Sequence, residues 1–352
     1  MKSITTTGLD IAKSVFQVHC VDAQQKIVVA RKLKRGDVLA FFRKLPPHLV
    51  GIEACGSAHY WARELTALGH TVKLMPPQYV KAYLQRGKTD ASDAAAICEA
   101  VTRAHVKPVP VKTVAQQCAL LSHKARESLI SMRTEQMNRI RSHLSEFGVI
   151  APVGNGFEDL LRRVFDDTDA TVPADARPAL RILAAVLAET DAQIAALDQL
   201  IKRAFKACET SRRLQTIPTV GPLTANAAAA IVSNARIFPS GREFAASLGL
   251  TPRLEGTGGK VTLGPVTKQG NQYLRRLLYL GAVSRLGWAR RNPSQASPWM
   301  LRLLKDKPFK VAAIALANKT ARIIWALLAH GGTYTPGHCP AQSAPAALGA
   351  SA

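Results

Sequence analysis

The fold is decided by residues 5–21, which read TTTGLDIAKSVFQVHCV. β-Branched and apolar residues dominate two runs here, Thr5 to Asp10 and Ser14 to Val21, and both runs predict strands. A turn leads to a third predicted strand, Lys26 to Leu33. The pattern then alternates, so that the three strands are followed by helix, strand, helix, strand and helix. The N-terminal part is therefore predicted to be an α/β domain with a central sheet.

This order matches a ribonuclease-H-like or RuvC-like fold, in which a β-meander is extended by parallel strands. Asp10 ends the first strand and Glu53 ends the fourth, and these two strands are neighbours in that fold. Asp90 and Asp93 are three residues apart near a predicted helix start, so they lie on one side of the helix. Two strand ends and one helix start are thus predicted to bring four carboxylates together.

Four converging carboxylates in a basic protein repel one another unless a cation lies between them. Hard oxygen ligands of this kind suit Mg²⁺ or Mn²⁺, and two such ions suit phosphodiester chemistry. Taken singly, each acid also has an ordinary interpretation, since strand-end acids are commonly solvated and a DxxD near a helix start is commonly a cap. Their joint placement in this strand order favours a catalytic metal site.

The chain has 352 residues and a formal net charge of +23. Such an excess favours a nucleic-acid partner, because an uncompensated charge of this size repels itself in the folded state. The net charge is +8 over residues 1–110, +1 over residues 111–206 and +14 over residues 207–352. With 47% hydrophobic and 20% charged residues, the chain can bury a sizeable core, which argues against an intrinsically disordered protein.

The neutral middle segment is predicted to form two long helices on either side of a break rich in Gly, Pro and Asp. In the second helix, Leu180, Leu187, Ile194 and Ile201 recur at every seventh residue and form a heptad seam. We expect the helices to pair either as an antiparallel hairpin within the chain or as a coiled coil with another chain, and the pattern fits both.

The second basic part has two features suited to nucleic acid. Residues 217–225, IPTVGPLTA, are similar to a helix–hairpin–helix turn, in which backbone around Gly221 contacts a phosphate; an ordinary helix–turn–helix corner is the alternative. A Gly-rich loop is predicted from Arg253 to Lys260, and its GTGGK spacing excludes a Walker-type P-loop. The loop would let backbone amides approach a phosphate, with charge supplied by four cations: Lys260, Lys268, Arg275 and Arg276.

The cysteines and apolar runs indicate the compartment. Six scattered cysteines without a CxxC pair fit a reducing cytosol better than a zinc site or a disulfide framework. No signal peptide is predicted, and the apolar run Val311 to Ala329 contains Lys319 and Arg322, so it favours a buried or amphipathic helix over a membrane span. Residues 331–352 are rich in Gly, Pro, Ala and Ser and are expected to be disordered.

Several motifs follow one another in an order typical of a known family. They are the segments around Asp10 and Glu53, KTDASD at 88–93, IPTVG at 217–221 and the run Gly249 to Arg276. Together they resemble the DEDD transposases of the IS110 and IS1111 insertion-sequence groups, relatives of the Piv-type DNA invertases. The resemblance spans most of the chain.

The resemblance implies a division of the chain into four parts. These are a RuvC-like catalytic domain at 1–110, a helical coiled-coil connector at 111–206, a mostly helical C-terminal transposase domain at 207–330 and the tail at 331–352. It also implies a bacterial cytoplasmic enzyme associated with the nucleoid and with no membrane partner.

The resemblance further implies a recombinase that cuts and rejoins donor and target DNA, is guided by a bridge RNA and works as a dimer or tetramer. Asp10, Glu53, Asp90 and Asp93 match the metal-binding quartet of the family. The family serine that attacks DNA is replaced by Thr257, which keeps a hydroxyl group. Thr257 is the expected nucleophile; an impaired copy, a one-residue shift of register and a threonine that only contacts phosphate are the alternatives.

Two other functions fit part of the pattern. A RuvC-type junction-resolving nuclease, in which water attacks the phosphodiester, explains the four acids but leaves the second basic part without a chemical role. A non-catalytic protein that binds RNA or DNA explains the charge but treats the four acids as structural.

Overall fold

The computed structural model describes residues 3–84, 89–152, 156–166, 171–257 and 260–336, with the side chains of 257, 260 and 261 excepted. The chain divides into two compact units. The first comprises Met1–Leu120 with Val232–Ile237, and the second comprises Leu121–Ile231 with Phe238–Ala352. The expected domain boundaries at 110, 206 and 330 remain predictions, and most of the expected disordered tail lies outside the described residues.

The first unit alternates strands and helices along the chain. Its elements are β1 (Thr6–Asp10), β2 (Val15–Val21), β3 (Ile27–Lys34), α1 (Val38–Arg43), β4 (Leu49–Glu53), α2 (Ala58–Ala67), β5 (Thr71–Met75), α3 (Pro77–Val80) and α4 (Asp90–Thr102).

The strands form one five-stranded sheet in the order β3-β2-β1-β4-β5. β1, β2 and β3 are joined as an antiparallel meander, whereas β4 pairs parallel to β1 and β5 pairs parallel to β4. The predicted meander with parallel extension is therefore confirmed, including the contact between the first and fourth strands. Phe16 and Trp61 pack edge to face at 4.9 Å in the core between the sheet and α2.

The second unit is mostly helical. Its elements are α5 (Val114–Glu146), whose first turns belong to the first unit, α6 (Phe157–Val164), α7 (Arg177–Ala207), α8 (Glu209–Gln215), α9 (Pro222–Ile231), α10 (Gly241–Ser247), β6 (Pro252–Thr257), β7 (Lys260–Val266), α11 (Gln272–Arg291), α12 (Pro298–Asp306) and α13 (Phe309–His330).

The long helices α5 and α7 run antiparallel. Arg126 forms an ion pair with Asp198 at 2.5 Å, and Gln136 donates to the carbonyl oxygen of Leu183 at 3.3 Å. Residue numbers rise along one helix as they fall along the other, so the pair is a helical hairpin within the chain. Three of the four heptad positions on α7 are buried: Leu180, Leu187 and Ile201.

The prediction of a Gly-rich loop from Arg253 to Lys260 is wrong for most of these residues. β6 and β7 pair as an antiparallel hairpin, with Leu254 opposite Leu263 and Gly256 opposite Val261. Glycine has a low strand propensity, but the cross-strand pairing of β6 with β7 overrides it. Gly258 and Gly259, between the two strands, lie outside the described residues.

The C-terminal helix α13 is, by length and composition, the one helix in the described part of the chain that could span a membrane. The core helix of a globular unit meets the same test. Ala313, Ala317 and Ile324 on α13 are fully buried, and the helix packs against α10 and α11. This packing agrees with the buried helix predicted from its sequence.

Candidate active site

Two of the predicted acids lie side by side at one edge of the sheet. Leu9 of β1 is in register with Ile52 of β4, and each is followed by an acid, Asp10 and Glu53. Parallel strands end at the same edge of a sheet, so the two carboxylates leave neighbouring strand ends. The predicted placement of Asp10 and Glu53 at the ends of neighbouring strands is confirmed by the strand register, and their catalytic role stays a prediction.

The other two acids are carried to the same edge by α4. A β-carbon built on Gly8 of β1 would be 2.0 Å from the carbonyl oxygen of Ala94, so only glycine lets the helix lie this close. Thr89 and Ser92 form a capping box that starts the helix. Asp90 and Asp93 therefore lie in its first turn, where the helix dipole favours negative charge.

The acids act on one another electrostatically. The pKa of Asp10 is raised to about 6, first by burial and then by the negative charges of Asp93, Asp90 and Glu53. The pKa of the neighbouring Cys55 thiol is also raised, first by partial desolvation of this otherwise exposed residue and then by the charges of Glu53 and Asp10. Since three acids act on Asp10, the four predicted carboxylates form one electrostatic cluster of like charges.

This cluster fits a divalent cation in its chemistry and its charge. All four donors are hard carboxylate oxygens. The negative charges of Asp93, Asp90 and Glu53 add to burial in raising the pKa of Asp10, and a cation would relieve this repulsion. In the described residues, no group of three or more His, Cys, Asp and Glu side chains is already gathered tightly enough to hold a metal ion.

A basic cleft, which the sequence did not indicate, adjoins the acids. It has a volume of about 400 Å³, and its lining begins one residue after Asp10 and two residues after Glu53. Its lining consists of Ile11, Ala12, Lys13, Arg35, Cys55, Gly56 and Ser57. Lys32 of β3 also approaches the cluster, with its Nζ 3.8 Å from Asp90, although an exposed pair of this kind contributes less than about 1 kcal/mol.

The predicted nucleophile belongs to the second unit. Thr257 is the last residue of β6, and its backbone pairs with Lys260 at the start of β7. Both residues therefore stand at the turn end of the hairpin. Their side chains are outside the described part of the chain, and the roles of the two residues remain predictions.

The predicted phosphate-binding cations differ in their surroundings. Lys268 is exposed and has a left-handed backbone, with φ of 54°. Arg275 donates to the carbonyl oxygens of Leu248 at 2.9 Å and Gln269 at 2.6 Å, so its guanidinium holds the segment before α11 against α10. Arg276 pairs with Glu127 of α5 at 2.9 Å. Lys268 and Arg276 are thus exposed and Arg275 is half-buried, and the two arginines also have partners within the unit.

Gly221 lies in the turn between α8 and α9. A β-carbon at Gly221 would meet nothing within 4 Å, so the backbone there is open on that side. The turn itself is anchored by a hydrogen bond of 2.7 Å between the hydroxyl groups of Thr219 and Thr320. An open backbone on an anchored turn is compatible with a phosphate contact and with a plain helical corner.

A buried polar cluster around His123 was not predicted from the sequence. Its Nε2 lies 2.9 Å from Oδ1 of Asn226, and its Nδ1 lies 2.9 Å from the hydroxyl oxygen of Tyr273. Since the amide oxygen can only accept, Nε2 carries the proton and the tyrosine hydroxyl donates to Nδ1. The cluster joins α5, α9 and α11, and no local sequence pattern connects residues so far apart.

Comparison with known proteins is consistent with this arrangement. Residues 7–149 match a transposase family described as DEDD_Tnp_IS110, and residues 211–297 match the description "Transposase IS116/IS110/IS902 family". A probable family 20 transposase of Pseudomonas aeruginosa is 45% identical over 337 residues, covering 95% of this chain and all of the relative.

Two further relatives are similar over nearly their whole length. The transposase for insertion sequence element IS1111A of Coxiella burnetii is 36% identical, covering 96% of this chain and 93% of the relative. The transposase for insertion sequence element IS1328 of Yersinia enterocolitica is 33% identical, covering 95% of this chain and all of the relative.

The acid cluster on this sheet and the two matched regions define a DNA transposase. Nuclease-like domains of this acidic type generally use divalent metal ions. The chain belongs to the IS110/IS116/IS902 family of insertion-sequence transposases.

Proposed function

We propose that this transposase cuts and rejoins DNA by metal-dependent phosphodiester transfer, with Asp10, Glu53, Asp90 and Asp93 as the catalytic acids that hold the metal. The observation that carries the proposal is the convergence of these four carboxylates. Burial first, and then repulsion by the other three acids, raises the pKa of Asp10 to about 6. Repulsion of this kind persists in a folded protein when a function requires the charges together.

Mg²⁺, or Mn²⁺ in its place, is the proposed ion, and when bound it would activate the attacking oxygen and stabilise the leaving oxygen. The protein contributes the positions of the donors. Asp10 and Glu53 are held by the β1–β4 register, and Asp90 and Asp93 by the capped start of α4. The sheet and the helix thus supply two carboxylates each.

Thr257 is the proposed nucleophile. Its hydroxyl oxygen would bond to the phosphorus of a DNA phosphodiester, and the displaced ester oxygen would take a proton and become a free DNA hydroxyl. A DNA hydroxyl would then attack the phosphothreonine bond, which joins the strands and restores Thr257. Its place at the turn end of the β6–β7 hairpin supports this role, because a hairpin tip can approach a DNA strand.

The second basic part is proposed to hold nucleic-acid backbones. Lys260, Lys268, Arg275, Arg276 and Gly221 are the proposed contacts, in a part of the chain with a net charge of +14. The partners are donor and target DNA together with a bridge RNA that supplies sequence choice by base pairing. This proposal rests on the family resemblance and on the charge.

The helices α5 and α7 are proposed to act as a coiled-coil connector that also joins protomers into a dimer or tetramer. Large apolar side chains on both helices remain exposed, which supports a further helical partner: Leu121, Met132, Ile182, Val186 and Leu200. The complex is proposed to work in the bacterial cytoplasm, in association with the nucleoid.

One reconstitution tests the chemistry. Purified protein is incubated with Mg²⁺, donor and target duplexes and the non-coding RNA transcribed from the flank of its gene. Strand exchange and a covalent protein–DNA adduct are then measured for wild type, Asp10→Ala and Thr257→Ala, with Asp37→Ala as the control for an exposed acid of the same unit.

The expected result is loss of both products in Asp10→Ala, loss of the adduct in Thr257→Ala and normal products in Asp37→Ala. Recombination that survives Asp10→Ala would refute the metal site. An adduct that survives Thr257→Ala would remove that residue from the nucleophile role. Cleavage by the wild type without an adduct or joining would instead favour a junction nuclease.

A further inference from the structure

The cleft beside the acids is positive, whereas the cluster next to it is negative. The lining of the cleft contains two cations, Lys13 and Arg35, and no carboxylate. Asp10 lies one residue before one lining segment, and Glu53 lies two residues before the other. The sign of the charge therefore reverses within a few residues along the same sheet edge.

Arg35 is held in place on this edge. Its guanidinium carbon lies 5.1 Å from the ring centre of Trp61 and 5.8 Å from that of Phe16, both core residues. Its Nη1 donates to the carbonyl oxygen of Lys13 at 3.5 Å. Guanidinium has five N–H donors, and this contact uses only one of them. An arginine fixed by aromatic rings loses little further entropy when it binds an anion.

The two cations of the cleft favour a phosphate group of a nucleic-acid strand as the ligand. Guanidinium and ammonium groups are the common protein donors to phosphate oxygens. The cleft is open and has a volume of about 400 Å³, near the lower end of the range for small-molecule pockets. A strand whose reacting phosphate lay at the acids would pass directly over it, because the two sites share the ends of β1 and β4.

We propose that Lys13 and Arg35 bind the backbone phosphate next to the one that reacts, and so set the position of the DNA strand on the acid cluster. The proposal rests on the proposed metal-dependent phosphodiester chemistry of Asp10 and its partners. Lys13 and Arg35 are positioning residues in it, since they touch the strand but not the reacting atoms.

A native cysteine provides the test. Cys55 lines the cleft and is exposed, and Cys118 on α5 is an exposed thiol that does not line it. The rate of alkylation of each thiol by N-ethylmaleimide is measured by peptide mass spectrometry, with and without a saturating single-stranded DNA oligonucleotide. The full-length protein is used in Asp10→Asn form, so that no strand is cut during labelling.

The variants are chosen to separate a phosphate contact from a general loss of charge. Lys13→Gln with Arg35→Gln removes both cations, while Lys13→Arg with Arg35→Lys keeps the charge and swaps the donor groups. Lys26→Gln with Lys44→Gln removes two exposed cations near the opposite edge of the sheet, beyond the end of β2 and before the start of β4.

We expect DNA to slow the alkylation of Cys55 several-fold and to leave Cys118 unchanged. The Lys13→Gln, Arg35→Gln variant should lose this protection, and the dependence of log affinity on log salt should become shallower by about 0.7 for the one lost phosphate. The charge-keeping variant should stay protected, as should the variant at the opposite edge. Equal alkylation of Cys55 with and without bound DNA would overturn the proposal, as would full protection in the double glutamine variant.

This experiment is independent of catalysis. If Asp10→Ala kept recombination activity while Cys55 remained protected by DNA, only the proposed metal site would fail. If Asp10→Ala abolished recombination while Cys55 was never protected, only the phosphate-binding cleft would fail.

Discussion

Gly8 of β1 and Ala94 of α4 are packed so closely that a β-carbon on Gly8 would be 2.0 Å from the carbonyl oxygen of Ala94. The same β-carbon would be 2.5 Å from the backbone nitrogen of Cys98. Both obstacles are backbone atoms of one helix, so no side-chain rotation can relieve them. This contact fixes the distance between the strand that ends in Asp10 and the helix that carries Asp90 and Asp93.

The first prediction concerns this contact. Gly8→Ala should push α4 away from β1, lower the free energy of unfolding by at least about 2 kcal/mol and reduce strand transfer further by displacing Asp90 and Asp93. Urea unfolding and the reconstituted reaction measure the two effects. Gly36→Ala is the control, because a β-carbon there meets nothing within 4 Å. Equal stability of the two variants would contradict the packing.

The second prediction concerns pH. The pKa of Asp10 is raised from 3.8 to about 6, so folding favours its protonated form and stability falls as pH rises through this interval. The Asp10→Asn variant has no carboxyl group to ionise at this position, so its stability does not fall in this way. In the absence of divalent ions it should therefore melt at a higher temperature than wild type at pH 7, and the difference should vanish below about pH 4.

Mg²⁺ should reverse that order by neutralising the cluster. It should raise the melting temperature of the wild type and have a smaller effect on Asp10→Asn. Asp37→Asn provides the control for an exposed acid and should follow the wild type throughout. A wild type more stable than Asp10→Asn at pH 7 without divalent ions would contradict the raised pKa of Asp10.

The third prediction concerns the His123 cluster. Tyr273→Phe removes the hydroxyl that donates to Nδ1 of His123 and leaves a buried acceptor without a partner, at a cost of about 1–3 kcal/mol. Tyr279→Phe, the same change on the same helix, should have an effect within about 0.5 kcal/mol. Chemical denaturation of both variants decides the matter, and similar midpoints would argue against the hydrogen bond.

The fourth prediction separates structure from binding in the second basic part. Arg275→Ala should lower the melting temperature, because it removes hydrogen bonds to the carbonyl oxygens of Leu248 and Gln269. Lys268→Gln should leave the melting temperature unchanged and weaken DNA binding at low salt. A normal melting temperature for Arg275→Ala would contradict the structural role of that arginine.

Local sequence patterns were sufficient to predict the strand order of the sheet and the positions of the acids at its strand ends. Strand periodicity predicted the order of the elements. Once the strand order is known, the acids at the ends of two adjacent strands can be located from the sequence. The contact of Arg35 with the carbonyl of Lys13 was not predictable, because it depends on how β2 and β3 return to the end of β1. Tyr273 and His123, 150 residues apart, meet only through tertiary packing.

The hairpin formed by β6 and β7 was missed for a different reason. Its glycines suggested a loop, since glycine costs more entropy in a strand than any other residue. The pairing of Leu254 with Leu263 is a property of two segments together, and neither segment alone has a strong strand pattern. Long-range pairing of this kind determines the structure where local propensity is weak.

The acid cluster is divided along the chain, with half of it on strands that end by residue 53 and half on a helix that starts at residue 90. During synthesis on a ribosome, the sheet can therefore form before the last two carboxylates have emerged. On the proposed catalytic role of the four acids, competence to cut DNA would arise only when α4 docks over Gly8, late in the production of the N-terminal unit. A gene copy interrupted between codons 54 and 89 encodes a protein with two of the four acids, and such truncated copies would be incapable of mobilising the element.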